Sequence, residues 1–150
     1  MRKTIIAAAV TVAAVIGGAA YLLTGPSAAA AEVTLYKNPQ CGCCQNYGNY
    51  LRDNGFTVTV KETHDLVPMS REAGIPDDFQ GCHLAFIDDY VVSGHVPIGT
   101  VNKLLTERPD IKGVTLPGMP AGSPGMGGVK NRPFTVYKVG EGQPKVYAVE

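Results

Sequence analysis

The sequence predicts an α/β fold, and three observations carry that prediction. A short β-rich run at Val33–Tyr36 is followed by an amphipathic helical stretch and then an alternating run at Phe56–Val60. Two strands joined by a helix of that length favour a parallel βαβ unit. Further on, Leu84–Ile87 and Tyr90–Val92 flank Asp88-Asp89, which reads as a hairpin. A last helical pattern closes the set, so the expected order is βαβ-α-ββα.

Each element has its own signals. After Val33–Tyr36, Asn38-Pro39 marks a turn. The stretch from Gln45 to Asn54 reads as a helix, with Cys44, Tyr47 and Leu51 at i, i+3 and i+7 forming one apolar face. Asn54-Gly55 is a helix stop. Phe56–Val60 alternates as a half-buried strand does. Leu66–Ala73 is a short second helix closed by Gly74-Ile75-Pro76, and Met69 is expected in the core. Pro97 opens a helix with Ile98, Val101, Leu104 and Leu105 on one face, ending before Pro109. This is the order of a thioredoxin-like domain.

Beyond Gly113 the composition changes. Residues 116–128, LPGMPAGSPGMGG, hold too much glycine and proline for a helix or a central strand. They are expected to form a flexible linker or an ordered loop lying over the domain. Phe134–Val139 and Lys145–Val149 then read as a C-terminal β-hairpin.

The first 31 residues read as an export signal. Arg2 and Lys3 precede an uncharged run from Ile5 to Leu23, Gly25-Pro26 breaks it, and Ala28–Ala31 offers small residues for cleavage before Glu32. The same run is long enough to remain as an uncleaved membrane anchor. Either way the globular part is exported, and the expected domains are 1–31 as signal, 32–113 as a thioredoxin-like metal-binding domain, and 114–150 as loop and hairpin. The chain has 13 basic and 13 acidic side chains; removing Arg2 and Lys3 leaves 11 against 13, with no basic patch to suggest nucleic acid.

Export places four cysteines in an oxidising compartment. Their spacing argues against simple stapling. Cys41, Cys43 and Cys44 fall within four positions, so disulfides among them would close tiny loops with little entropic gain. Only Cys82 is distant. If the fold is as expected, the first three lie where the first strand turns into the first helix, where N–H groups and the helix dipole favour thiolates. The loop entering the third strand carries Cys82-His83 and would pack against that helix start, so the four thiols could converge.

Cys41 and Cys44 have the C-x-x-C spacing of a thiol–disulfide redox pair. Four converging thiolates suit soft metals: Cu(I), Zn(II) or an iron–sulfur cluster. Adjacent Cys43 and Cys44 share a single tetrahedral zinc poorly, and the spacing matches neither usual ferredoxin run. Bridging thiolates in a Cu(I) cluster use closely spaced sulfurs better. His83, His95, Met119 and Met126 are candidate accessory ligands, each with an ordinary reading as a satisfied polar residue or a gap-filling side chain. His64, beside Glu62 and Asp65, reads as a solvated surface residue.

Four motifs, CGCC at 41–44 after a strand, GCH at 81–83, GHVP at 94–97 and LPGMPAGSPGM at 116–126, stand in an order that resembles the CopG-type copper-resistance proteins of Gram-negative bacteria. That family was long catalogued only as a domain of unknown function. The resemblance spans roughly Val33 to Val149. It implies a periplasmic thioredoxin-like protein whose Cys41, Cys43, Cys44 and Cys82 hold a multinuclear copper–thiolate cluster. It also implies a role in copper tolerance through Cu(I)/Cu(II) redox chemistry, with copper-handling proteins of the periplasm as partners. The chain departs from the family at Tyr47, where many relatives are expected to place a bulky aromatic about a position later. The alternative is a thioredoxin-like thiol–disulfide oxidoreductase using Cys41 and Cys44. No proline stands beside Cys82, where such enzymes usually have one, and Cys43 would divert a mixed disulfide.

Overall fold

The computed structural model describes residues 31–150. The signal or anchor expected at 1–31 lies, but for its last residue, outside them. Among the described residues no helix is long and apolar enough to cross a membrane.

The chain runs β1 (Glu32–Lys37), α1 (Gly42–Asp53), β2 (Thr57–Glu62), α2 (Leu66–Glu72), a 3₁₀ turn (Asp77–Phe79), β3 (His83–Ile87), β4 (Tyr90–Ser93), α3 (Ile98–Glu107), β5 (Gly113–Thr115), β6 (Thr135–Val139) and β7 (Lys145–Val149). The strands form one mixed sheet in the order β2-β1-β3-β4-β5-β6-β7. β1 and β2 are parallel, while β1/β3 and β3/β4 are antiparallel. The expected βαβ-α-ββα order is present from β1 to α3.

Two features differ from the sequence reading. α1 begins at Gly42 rather than Gln45, with Cys41 as an extended N-cap residue (φ −81°, ψ 94°). Cys43 and Cys44 therefore belong to the first helical turn. Nothing in Gly-Cys-Cys breaks a helix, and a buried Cys44 lets the apolar face start early. The second difference is β5, a three-residue strand parallel to β4 and antiparallel to β6. Through it the C-terminal hairpin continues the sheet.

The main core lies on one sheet face. Val33 and Leu35 of β1, Ala85 and Ile87 of β3, Tyr47 and Leu51 of α1, and Val101 and Leu104 of α3 pack together there. Alternate strand positions face the other way: Leu84 and Val91 meet Ile75 and Val139, with Leu66 and Met69 of α2 half-buried beside them. Burying a Val, Leu or Ile side chain contributes roughly 1.5–3 kcal/mol, so these alternations fix the register.

Register is what assembles the site. Lys37, the last residue of β1, pairs with His83, the first of β3. This sets Cys82 beside the turn that leads to Cys41. Gly94 N–H donates to the His83 carbonyl (3.2 Å), which brings His95 to the same end, and Leu116 N–H donates to Ser93 O (3.0 Å), which starts the Gly/Pro loop there.

Candidate metal centre

The turn into α1 is held from below. Gln40 N–H donates to Asn38 Oδ1 (3.0 Å), and Cys41 N–H donates to the Asn38 carbonyl (3.0 Å). The nearly buried Lys37 ammonium donates to the carbonyls of Asn38 (3.2 Å) and Pro39 (3.1 Å) and pairs with Glu62 at 3.3 Å. Lys37 thus braces the approach to Cys41, a role its place at a strand end did not reveal in the sequence.

The four cysteines converge. Their sulfurs lie within 4.8 Å of one another. Cys41 and Cys44 form a disulfide, and Cys43 and Cys82 are free thiols. Cys43 Sγ is 3.4 Å from Cys41 Sγ, and Cys82 Sγ is 3.4 Å from Cys44 Sγ. Cys44 is buried, while the other three are half-buried.

A second set overlaps the first at Cys82. The ligating atoms of Cys82, His83 and His95 also lie within 4.8 Å of one another. His95 Nδ1 donates to the Pro124 carbonyl at 2.6 Å. That bond places the proton on Nδ1 and leaves the Nε2 lone pair facing Cys82 Sγ, 3.1 Å away. A histidine whose far nitrogen is anchored to a carbonyl is oriented for ligation. His83 Nδ1 lies 3.6 Å from Cys82 Sγ, and its Nε2 has no hydrogen-bond partner among the described residues.

The electrostatics are those of a dry pocket. Burial, then the neighbouring Cys43 thiol, pushes the Cys82 thiol up to about 12. Burial, then the nearby His95, pushes His83 down to about 3, and burial lowers His95 as well. Without a metal, Cys82 is a neutral thiol and the two imidazoles are neutral rings. A bound cation would reverse the cost of the Cys82 thiolate, because metal and thiolate then neutralise each other.

The Gly/Pro loop is an ordered wall of this pocket. Pro124 supplies the carbonyl to His95, and Gly125 sits on the first turns of α1 with φ +80°. A Cβ there would come within 2.7 Å of Tyr47 N and 2.9 Å of Cys43 O. Of the two methionines, Met126 follows Gly125 and is half-buried, whereas Met119 is 45 % exposed. His64 is exposed, as expected for a surface residue.

Tyr47 forms the floor. It is fully buried, its ring lies 4.6 Å from that of His83 and 5.5 Å from that of His95, and its hydroxyl donates to the Val96 carbonyl at 2.9 Å. Burial raises the phenol's pKa, so it remains a donor. Tyr47→Phe strands a buried carbonyl, and urea unfolding should show a loss of about 1–2 kcal/mol.

Comparison with known proteins places this arrangement. Two solved structures described as copper resistance protein CopG, forms 2 and 1, each share 35% identity with the chain; their TM-scores are 0.74 and 0.71. They cover 81% and 79% of this chain, which covers 98% and 96% of theirs. The chain belongs to the CopG family of copper resistance proteins. A family model described as a protein of unknown function, DUF411, matches residues 79–126, from the 3₁₀ turn to the loop against α1. No curated protein matches the sequence. CopG family membership and a cysteine cluster able to hold metal together point to a copper-related function.

Proposed function

We propose that this CopG-family chain is a periplasmic protein that holds Cu(I) in a multinuclear cluster bridged by Cys41, Cys43, Cys44 and Cys82. It contributes to copper resistance by cycling copper between Cu(I) and Cu(II). Residues 1–31 direct export, 32–113 supply the thiolates, and 114–150 cover them. His95, in the turn after β4, and His83, at the start of β3, are accessory ligands, and Met126 and Met119 reinforce the site from the loop. Copper arrives from, or passes to, other copper-handling proteins of the periplasm.

The observation that carries the reading is four sulfurs within 4.8 Å, two of them from adjacent residues. Thiolates are soft donors that favour Cu(I). Adjacent Cys43 and Cys44 share one tetrahedral ion poorly, and several bridged ions use such closely spaced thiolates better. The Cys41–Cys44 disulfide must first be reduced, because thiolates are the ligands.

Anaerobic titration of the reduced chain with Cu(I), read as elemental copper per chain at saturation, tests the proposal. More than one tightly held copper per chain is expected, and Cys82→Ser should lower that stoichiometry. Retention of at most one copper, or unchanged uptake in Cys82→Ser, would overturn the cluster. The disulfide favours a second reading, a thiol–disulfide oxidoreductase using Cys41 and Cys44. Absence of tight copper, together with a readily reversible Cys41–Cys44 couple, would select it.

A further inference from the structure

The four sulfurs form a continuous row. Cys43 Sγ lies 3.4 Å from Cys41 Sγ, Cys41 is bonded to Cys44, and Cys44 Sγ lies 3.4 Å from Cys82 Sγ. A thiol at that distance from a disulfide sulfur is within reach of exchange, which proceeds by attack of one sulfur on another. We propose that the disulfide moves along this row, from Cys41–Cys44 to Cys44–Cys82.

In that step Cys82 Sγ attacks Cys44 Sγ. A Cys44–Cys82 bond forms, the Cys41–Cys44 bond breaks, and Cys41 leaves with the electron pair as a thiolate. The Cys82 proton passes to His95 Nε2, 3.1 Å away, and from there to solvent or to Cys41. One disulfide is present before and after, so no external oxidant or reductant takes part.

Position favours Cys41 as the leaving sulfur. It is the N-cap of α1, where unpaired N–H groups and the helix dipole stabilise a thiolate. Cys44, the buried member, is common to both disulfides, and its partner is half-buried in each. The exchange is expected on the minutes-to-hours scale of uncatalysed disulfide rearrangement.

Exchange alters which thiols are free. Before it they are Cys43 and Cys82. After it they are Cys41 and Cys43, neighbours at the half-buried mouth of the pocket. Resting on the copper reading, a half-oxidised chain would then still offer a paired-thiol site to one Cu(I) ion.

Trypsin gives a direct readout. It places Cys41, Cys43 and Cys44 in residues 38–52 and Cys82 in residues 72–103, so only a disulfide to Cys82 links the two peptides. The metal-free chain carrying one disulfide would be incubated, quenched in acid, alkylated, digested and mapped by fragmentation mass spectrometry. The linked peptide should grow with time while the alkyl label shifts from Cys82 to Cys41. Cys43→Ser, which removes every competing bridge through Cys43, should show the same shift. A disulfide confined to residues 38–52 in both proteins, with the label staying on Cys82, overturns the proposal. Copper stoichiometry of the reduced chain separates the two readings. Linked peptide without tight copper sinks the cluster alone, and several coppers without linked peptide sink the exchange alone.

Discussion

Gly94→Ala should lower the unfolding free energy of the metal-free chain by about 3 kcal/mol, the sum expected from backbone strain and forced overpacking. Gly94 has φ +73°, a conformation that costs any residue with a Cβ. Its added Cβ would also overlap the Leu116 carbonyl oxygen, a backbone atom in a loop pinned by Leu116 N–H to Ser93 O at 3.0 Å. Retreat is blocked on the other side, where a Cβ on Gly81 would overlap Gly94 N. Three backbone segments, carrying Cys82, His95 and the start of the loop, are thus stacked too closely for a side chain between them. Relief requires β4 and the loop to separate, which draws His95 away from Cys82. Urea unfolding would measure the loss, with Gly42→Ala as the comparison. At Gly42 an added Cβ meets nothing within 4 Å, and the change should stay within about 0.5 kcal/mol of wild type. Equal costs at the two positions would show that close backbone approach is not what Gly94 provides.

This stacking also explains how far the sequence could be read. The apolar face of α1 and the alternation in β1 and β3 are local periodicities, and burial of Tyr47, Leu51, Leu35 and Ile87 follows them. The meeting of Cys82 with the CGCC segment was legible one step further out, because a parallel βαβ unit and an antiparallel β3 bring those chain segments to one end. The Cys82–His95 contact was not. It depends on the β3/β4 register to within one residue, and on a loop carbonyl 29 residues from His95 that any residue type at 124 could supply. β5 escaped for a similar reason: three residues beginning with glycine have no period, and pairing with β4 and β6 makes them a strand. The early start of α1 was hidden because cysteines chosen for their sulfurs are weak helix signals. Lys37 reads as an ordinary strand-end lysine until its ammonium is seen inside the turn it holds.

The acid side of the stability profile should be governed in large part by His83. Its ring is fully buried among Tyr47, His95 and Cys82, with Nε2 unpartnered among the described residues. None of those neighbours supplies a negative charge below neutral pH. Burial keeps the Tyr47 phenol and the Cys82 thiol protonated, and His95 is itself lowered. His83 therefore stays neutral in the native state down to about 3, whereas in the unfolded chain it takes a proton near 6.5. Below 6.5 the unfolded state binds more protons than the native one, so stability is full above that pH and is lost as pH falls towards 3. The slope is about 1.4 kcal/mol per pH unit for this one group. Between pH 7 and pH 5, above most carboxylate titration, that amounts to about 2 kcal/mol. His83→Leu removes the titration and fills the space with an apolar side chain. At pH 7 it should leave stability within about 1 kcal/mol of wild type, since the imidazole it replaces already leaves one polar atom unpaired. Urea unfolding of both metal-free proteins at pH 7, 6 and 5 would read the difference. The wild-type curve should fall below the variant's as the solution is acidified, and parallel curves would show that His83 finds a proton in the folded protein after all.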